Sequence, residues 1–146
     1  MTMRTLAIDL GTRRVGLALS DEGGRFATPY DVLEISTPRQ AMETILPLVE
    51  REGVRRIVVG LPLNMDGTIG PAARQTIEWA RQFKDVPVIF IDERLSSFAA
   101  EQDLIDRKRA GEKLTRKRKK EQLDALAAAT FLQTFLDGKA KPIELS

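Results

Sequence analysis

The chain has 146 residues, a length that suits one domain built around one hydrophobic core. It contains no cysteine and no histidine, which excludes disulfides, thiolate metal sites and Ser-His or Cys-His nucleophilic catalysis; carboxylates, lysines and hydroxyls are left to do chemistry, and any metal must be held by oxygen. The net charge is only +2, but Arg107 to Lys120 holds nine basic residues and one acidic, so an arm of +8 is set against a body of −6.

The start, Met1-Thr2-Met3-Arg4, has no apolar signal region, and no run approaches the roughly 20 apolar residues needed to span a bilayer, so a cytoplasmic protein with no membrane contact is expected. Leu6, Ile8 and Leu10 alternate with Ala7 and Asp9, which predicts a strand with Asp9 on the face opposite Ile8, just before the turn at Gly11. Val15 to Ser20 reads as a second strand, antiparallel to the first. A carboxylate beside so tight a hairpin either caps the turn or holds a charged group. Phe26 to Ile35 supplies a third extended segment, interrupted at Thr28-Pro29, and completes a meander.

Thr37-Pro38-Arg39-Gln40 has the form of a helix start, with Thr37 as cap, Pro38 at the first helical position and Gln40 completing a capping box. The spacing of Met42, Ile45, Leu46 and Val49 carries this helix to Gly53, with Pro47 expected to kink it. Ile57-Val58-Val59-Gly60-Leu61 is a short apolar run, as in a strand buried on both faces. The turn-rich stretch from Gly60 to Pro71 then leads into a helix expected over about 72–84. It is either a plain connection or, since ligands bind beyond the C-terminal ends of parallel strands, part of a site shared with Asp9, with Asn64 and Thr68 as candidate substrate contacts.

Pro87 to Ile91 predicts the last strand, which runs directly into Asp92-Glu93-Arg94. Two carboxylates at a strand end are costly to bury unpaired, so either Arg94 or a cation neutralises them. A helix is expected over about 98–108, followed by the basic arm, whose density favours nucleic acid over an ordinary solvated surface; it has too little apolar face for membrane insertion. The last helix is expected from Lys117 or Lys120 to Leu136, Gly138 ends it, and 139–146 reads as a tail after a single domain spanning 1–138. Asp124 lies on an apolar face near the start of this helix, where it either favours the positive helix end or points a carboxylate into the protein. If the first and last strands are neighbours in a mixed sheet and this helix packs across them, Asp9, Glu93 and Asp124 converge, and divalent cations would relieve their repulsion.

The series Asp9-x-Gly11-x-x-Arg14-x-Gly16, Gly60-Leu61-Pro62 with Gly67, Asp92-Glu93-Arg94-Leu95-Ser96 and Asp124-Ala125-x-Ala127-Ala128 resembles the motif order of the YqgF family, also called RuvX, relatives of the RuvC Holliday junction resolvases. The resemblance spans nearly the whole chain. It implies an α/β RNase H-like fold: a five-stranded mixed sheet, the first three strands antiparallel, with helices on both faces. It further implies a Mg²⁺- or Mn²⁺-dependent nuclease, with two ions expected, whose catalytic and metal-binding acids are Asp9, Glu93 and Asp124. The family is linked to maturation of the 5′ end of 16S rRNA. The chain departs from RuvC in having Gly60-Leu61-Pro62 where RuvC carries a carboxylate, and in lacking a further acid on the last helix. On this reading Lys113, Arg116, Lys117, Arg118, Lys119 and Lys120 contact phosphates, Arg14 contacts nucleic acid and orients the scissile group, and Asp92 assists Glu93 or pairs with Arg94 or Arg14. Structured RNA is the expected substrate and a four-way DNA junction the alternative; homodimer and monomer both fit. A non-catalytic RNA-binding factor is the competing class. An actin-like ATPase, which shares Asp-x-Gly-Thr, needs two related domains and this chain has length for one.

Overall fold

The computed structural model describes residues 3–94 and 116–145, the side chains of 116–123 excepted. The helix expected over 98–108 and Lys113 lie outside the described residues. The chain runs β1 (Thr5–Leu10), β2 (Arg14–Ser20), β3 (Ala27–Glu34), α1 (Pro38–Arg51), β4 (Arg56–Leu61), α2 (Pro71–Ala80), β5 (Val88–Asp92) and α3 (Arg116–Leu136). No helix among the described residues is long and apolar enough to cross a membrane.

The strands form one sheet in the order β3-β2-β1-β4-β5. The meander β1-β2-β3 is antiparallel, while β4 pairs parallel to β1 and β5 parallel to β4, so the first and last strands are not the neighbours expected from the sequence: β4 lies between them. Strict alternation in β1 divides its side chains between two layers. Leu6 and Ile8 join Val15, Leu17, Ile57 and Val59 in a core covered by Met42, Ile45 and Leu48 of α1 and Ala73 and Ile77 of α2. Ala7, by contrast, joins Ala18, Val58 and Ile91 on the opposite face, beneath Ala128, Ala129, Phe131 and Leu132 of α3. The expected mixed sheet with helices on both faces is the observed architecture, and the near-continuous apolar reading of β4 reflects its burial from both sides.

Local chemistry sets most boundaries. The Thr37 hydroxyl accepts from the Gln40 amide, and the Gln40 side chain accepts from the backbone at the cap, so α1 starts where the capping box places it. The helix continues through Pro47 to Arg51, and Gly53 at φ +64° takes the left-handed conformation that follows its end. Pro29 is tolerated in β3 because this is an edge strand: the register passes from Leu17 opposite Asp31 to Ala18 opposite Pro29, leaving Tyr30 as the extra residue of a bulge. The third extended segment is therefore one bulged strand. Helix α2 stops at Ala80, four residues short of the expected end, because Phe83 reaches the core through a turn in which its amide donates to the Ala80 carbonyl. Beyond Gly138 the chain returns to the other edge, where the Ile143 amide donates to the Phe90 carbonyl at 2.7 Å and Ile143 packs on the larger core, covering part of the exposed side of β5.

Candidate active site

Three elements end at one edge of the sheet. Asp9 stands two residues beyond Ala7 on β1, so alternation carries it to the α3 side. On β4 and β5, Gly60 pairs with Ile91 and Leu61 with Asp92, which brings the chain after β5 level with the end of β4. The Glu93 amide then donates to the Leu61 carbonyl at 3.3 Å.

Two glycines make the convergence possible. A β-carbon at Gly60 would lie 2.9 Å from Cβ of Glu93 and 3.0 Å from the Phe131 ring, so the bare backbone there is the space into which Glu93 and α3 fit. Gly16 is the register partner of Asp9 on β2, and a β-carbon on it would collide with the Asp124 backbone carbonyl. Helix α3 thus lies directly on β2 at the residue that bears the third carboxylate. In the sequence both glycines stand out as motif letters only; a glycine inside a strand pattern is the signal of close backbone approach that could have found their role.

The side chains of Asp9 and Glu93 share a hydrogen bond. Burial raises both acids, and the adjacent negative charge of Asp9 together with donation of its own proton to Asp9 pushes Glu93 up to about 8. Asp9 is raised by burial first and by the charge of Asp124 besides, an effect partly offset by the hydrogen bond it accepts from Glu93. Within the pair Glu93 is the donor and Asp9 the acceptor.

The other acids are compensated by arginines. The Arg14 Nε donates to Asp124 Oδ2 at 2.7 Å, a charge-assisted hydrogen bond between side chains 35% and 27% exposed. Asp124 sits eight residues into α3, more than two turns from its N-terminus, so the helix end that might have explained an aspartate here is out of range. Asp92 is held below the usual carboxylate range by the Arg94 guanidinium, which meets both of its oxygens, from Nε at 3.0 and 3.1 Å and from Nη2 at 2.8 Å. The sequence left Asp92 to assist Glu93 or to pair with Arg94 or Arg14; its partner is Arg94, and Arg14 belongs to Asp124.

Arg94 also braces the loop after β4. Its Nη1 donates to the carbonyls of Asn64 and Met65 at 2.9 and 3.0 Å. Within the loop, Asn64 Nδ2 donates to Thr68 Oγ1, and the Thr68 hydroxyl donates to Asp66 Oδ1 at 2.6 Å. Asn64 and Thr68 therefore use their side chains to shape the loop that borders Glu93, and Asp66, which sequence reasoning passed over, anchors it. Of the predicted basic contacts, Arg116 to Lys120 form the opening of α3, with side chains outside the described residues.

The donor set at this edge is all oxygen, as a hard divalent cation requires, and the facing carboxyl groups of Asp9 and Glu93 are the residues that would hold one. The residues fit the metal as a pair: among the described residues no three acidic side chains gather closely enough to hold one ion together.

Comparison with known proteins identifies the fold and the family. The chain is 42% identical over 139 residues to a protein of Syntrophomonas wolfei named "Putative pre-16S rRNA nuclease", covering 93% of this chain and 95% of the relative. A protein of Geobacillus kaustophilus with the same name is 39% identical over 142 residues, covering 94% of this chain and 99% of the relative. Among solved structures, Thermus thermophilus RuvC in complex with a Holliday junction superposes with a TM-score of 0.58 at 21% identity, over 97% of this chain and 99% of RuvC. The fowlpox virus resolvase, solved with Holliday junction DNA, gives 0.54 at 10% identity, over 92% and 99% of the two chains. Identities this low speak for the fold, which is that of RuvC. Residues 3–138 match the family RuvX, described as Holliday junction resolvase, and with relatives at about 40% identity along nearly its whole length the chain belongs to the RuvX family.

Proposed function

We propose that the chain is a divalent-metal-dependent endonuclease that hydrolyses phosphodiester bonds in structured nucleic acid, with the precursor of 16S rRNA as its substrate. The observation that carries this reading is the contact between the Asp9 and Glu93 carboxylates at the sheet edge, with Asp124 beside them on α3. Paired acids at such an edge are unfavourable in themselves, and a binding protein gains nothing by presenting clustered negative charge to a polyanion. The name borne by the Syntrophomonas and Geobacillus relatives supplies the substrate class.

In this reading Asp9 and Glu93 would hold Mg²⁺ or Mn²⁺, which would lower the pKa of a bound water and stabilise the leaving oxygen in an in-line displacement. Asp124, fixed by the close approach of α3 at Gly16, is held beside them by Arg14. The loop braced by Arg94 keeps Glu93 in place, since Arg94 ties the residue before Glu93 to the carbonyls of Asn64 and Met65. Lys113, Arg116, Lys117, Arg118, Lys119 and Lys120 contact phosphates and make affinity depend on salt.

A four-way DNA junction is the second reading, favoured by the family description and by the RuvC fold. The test is cleavage of a 5′-extended 16S rRNA precursor and a four-way DNA junction side by side, with Mg²⁺ or Mn²⁺, by the wild type and Asp9→Asn. Metal-dependent cutting of the RNA that Asp9→Asn abolishes is the expected result. Cutting of the junction alone selects the second reading, and binding without cutting of either substrate overturns the nuclease.

A further inference from the structure

Three acids are attributed to this site, yet the structure treats them unequally. The Asp9 and Glu93 side chains share a hydrogen bond. Asp124 does not join them; its Oδ2 is taken by Arg14 Nε at 2.7 Å. Arg14 is the first residue of β2 and lies in register with Glu34 of β3, so its backbone is fixed by the sheet. Asp124 is fixed as firmly, because the α3 backbone at this residue rests against Gly16 two positions along the same strand. The contact is thus set by two rigid elements and not by two mobile surface side chains, which is the condition under which an ion pair has a defined geometry.

The charges follow from this arrangement. The charge of Arg14 is set against Asp124, and among the described residues no three acids gather closely enough to share one ion. We propose that Arg14 is a built-in counter-ion that withholds Asp124 from the metal, so that the protein without nucleic acid binds one divalent ion, on Asp9 and Glu93. Arg14 is on this account a positioning residue that sets the ligand set of the free site. The inference rests on the metal-dependent reading above, and it replaces the expectation of two ions for the substrate-free protein.

The test is Mn²⁺ titration of the full chain, without nucleic acid, followed by electron paramagnetic resonance of the free ion and by calorimetry. Wild type is expected to bind one ion, Asp9→Asn to lose it, and Asp124→Asn, which leaves the Arg14 charge uncompensated beside the site, to weaken binding by less than about tenfold. Arg14→Gln frees Asp124 and is expected to tighten binding about tenfold or to add a second ion, whereas Arg14→Lys keeps the positive charge and the single ion. The double variant Arg14→Gln/Asp124→Asn should return to wild-type binding, which a merely structural role of Arg14 would not produce. Two ions on the wild type, a loss of more than tenfold in Asp124→Asn, or no gain in a folded Arg14→Gln would each overturn the assignment. Failure to bind Mn²⁺ at all would overturn the metal reading with it. One bound ion without cleavage of either nucleic acid would sink the nuclease and leave the role of Arg14 standing.

Discussion

Replacement of Gly16 by alanine tests whether the site depends on direct contact between a strand and a helix backbone. The added methyl would fall on the Asp124 carbonyl, 2.6 Å from its carbon and 3.2 Å from the Ala125 amide nitrogen. Unstrained carbon contacts need about 3.5 Å, so α3 must retreat by roughly 1 Å. No rotamer change can absorb that displacement, because every atom the methyl would meet within 3.2 Å belongs to the α3 backbone. Overpacking of this kind costs about 1–3 kcal/mol. At a urea m-value of about 2 kcal/mol/M the unfolding midpoint should fall by roughly 1 M. The same retreat draws Asp124 away from Arg14, so Mn²⁺ binding should change as well. Gly60→Ala provides the contrast, since the methyl there meets the Glu93 Cβ and the Phe131 ring edge and not a helix backbone. It should lower stability less and weaken Mn²⁺ binding more, by displacing a ligand. A Gly16→Ala midpoint within about 0.2 M of wild type, with unchanged Mn²⁺ binding, would refute the claim that this glycine sets the distance of α3.

The raised Glu93 gives a pH dependence with a definite sign. Its native form keeps a proton between its ordinary value of 4.5 and about 8, where the unfolded chain has lost it. Metal-free protein should therefore lose stability as pH rises through that window, on the order of a few kcal/mol in all; urea midpoints in EDTA from about pH 5 to 8 measure this, and Glu93→Gln should flatten the decline. Arg94→Ala removes the donor to the Asn64 and Met65 carbonyls and leaves Asp92 uncompensated. Hydrogen exchange of the Gly67 and Thr68 amides should speed up and cleavage should fall about tenfold, which corresponds to about 1.4 kcal/mol of transition-state stabilisation; unchanged exchange would release the loop from Arg94. Substitution of Lys117, Arg118, Lys119 and Lys120 together by alanine should flatten the slope of log affinity against log salt by about 0.7 to 0.9 for each phosphate that is no longer neutralised. An unchanged slope would take these residues out of the interface. Trp79→Phe removes the indole donor to the Pro38 carbonyl at 2.8 Å, and should cost about 1 kcal/mol by thermal unfolding.

What was legible in the sequence was what neighbouring residues decide among themselves. The entry into α1 follows from Thr37, Pro38 and Gln40, which bond within one turn, and the face on which Asp9 stands follows from alternation with Ile8 and Leu10. Where two distant segments had to agree, local pattern failed. Arg14 and Asp124 are 110 positions apart, and no spacing rule pairs them. Phe83 sits at helical spacing to Ile77 and Ala80 and so extends the apolar pattern of α2, although its burial is achieved by a turn.

The acids themselves show why a motif can name a site without describing it. Asp92 and Glu93 are adjacent and chemically alike, yet the backbone beyond β5 sends them to different partners, the former to Arg94 and the loop, the latter to Asp9. Asp92 is thereby held ionised, and its charge serves to hold the loop in position. Glu93, pressed by burial against a second carboxylate, is the acid with a proton to give up to a cation. Asp124 falls between these cases, close enough to raise Asp9 yet bonded to Arg14. The division of labour among four carboxylates at this edge is thus set by where two arginines reach, and those arginines are fixed by β2 and by the end of β5. Counting acids alone therefore misreads this edge, because Arg14 and Arg94 have already taken two of the four carboxylates as partners.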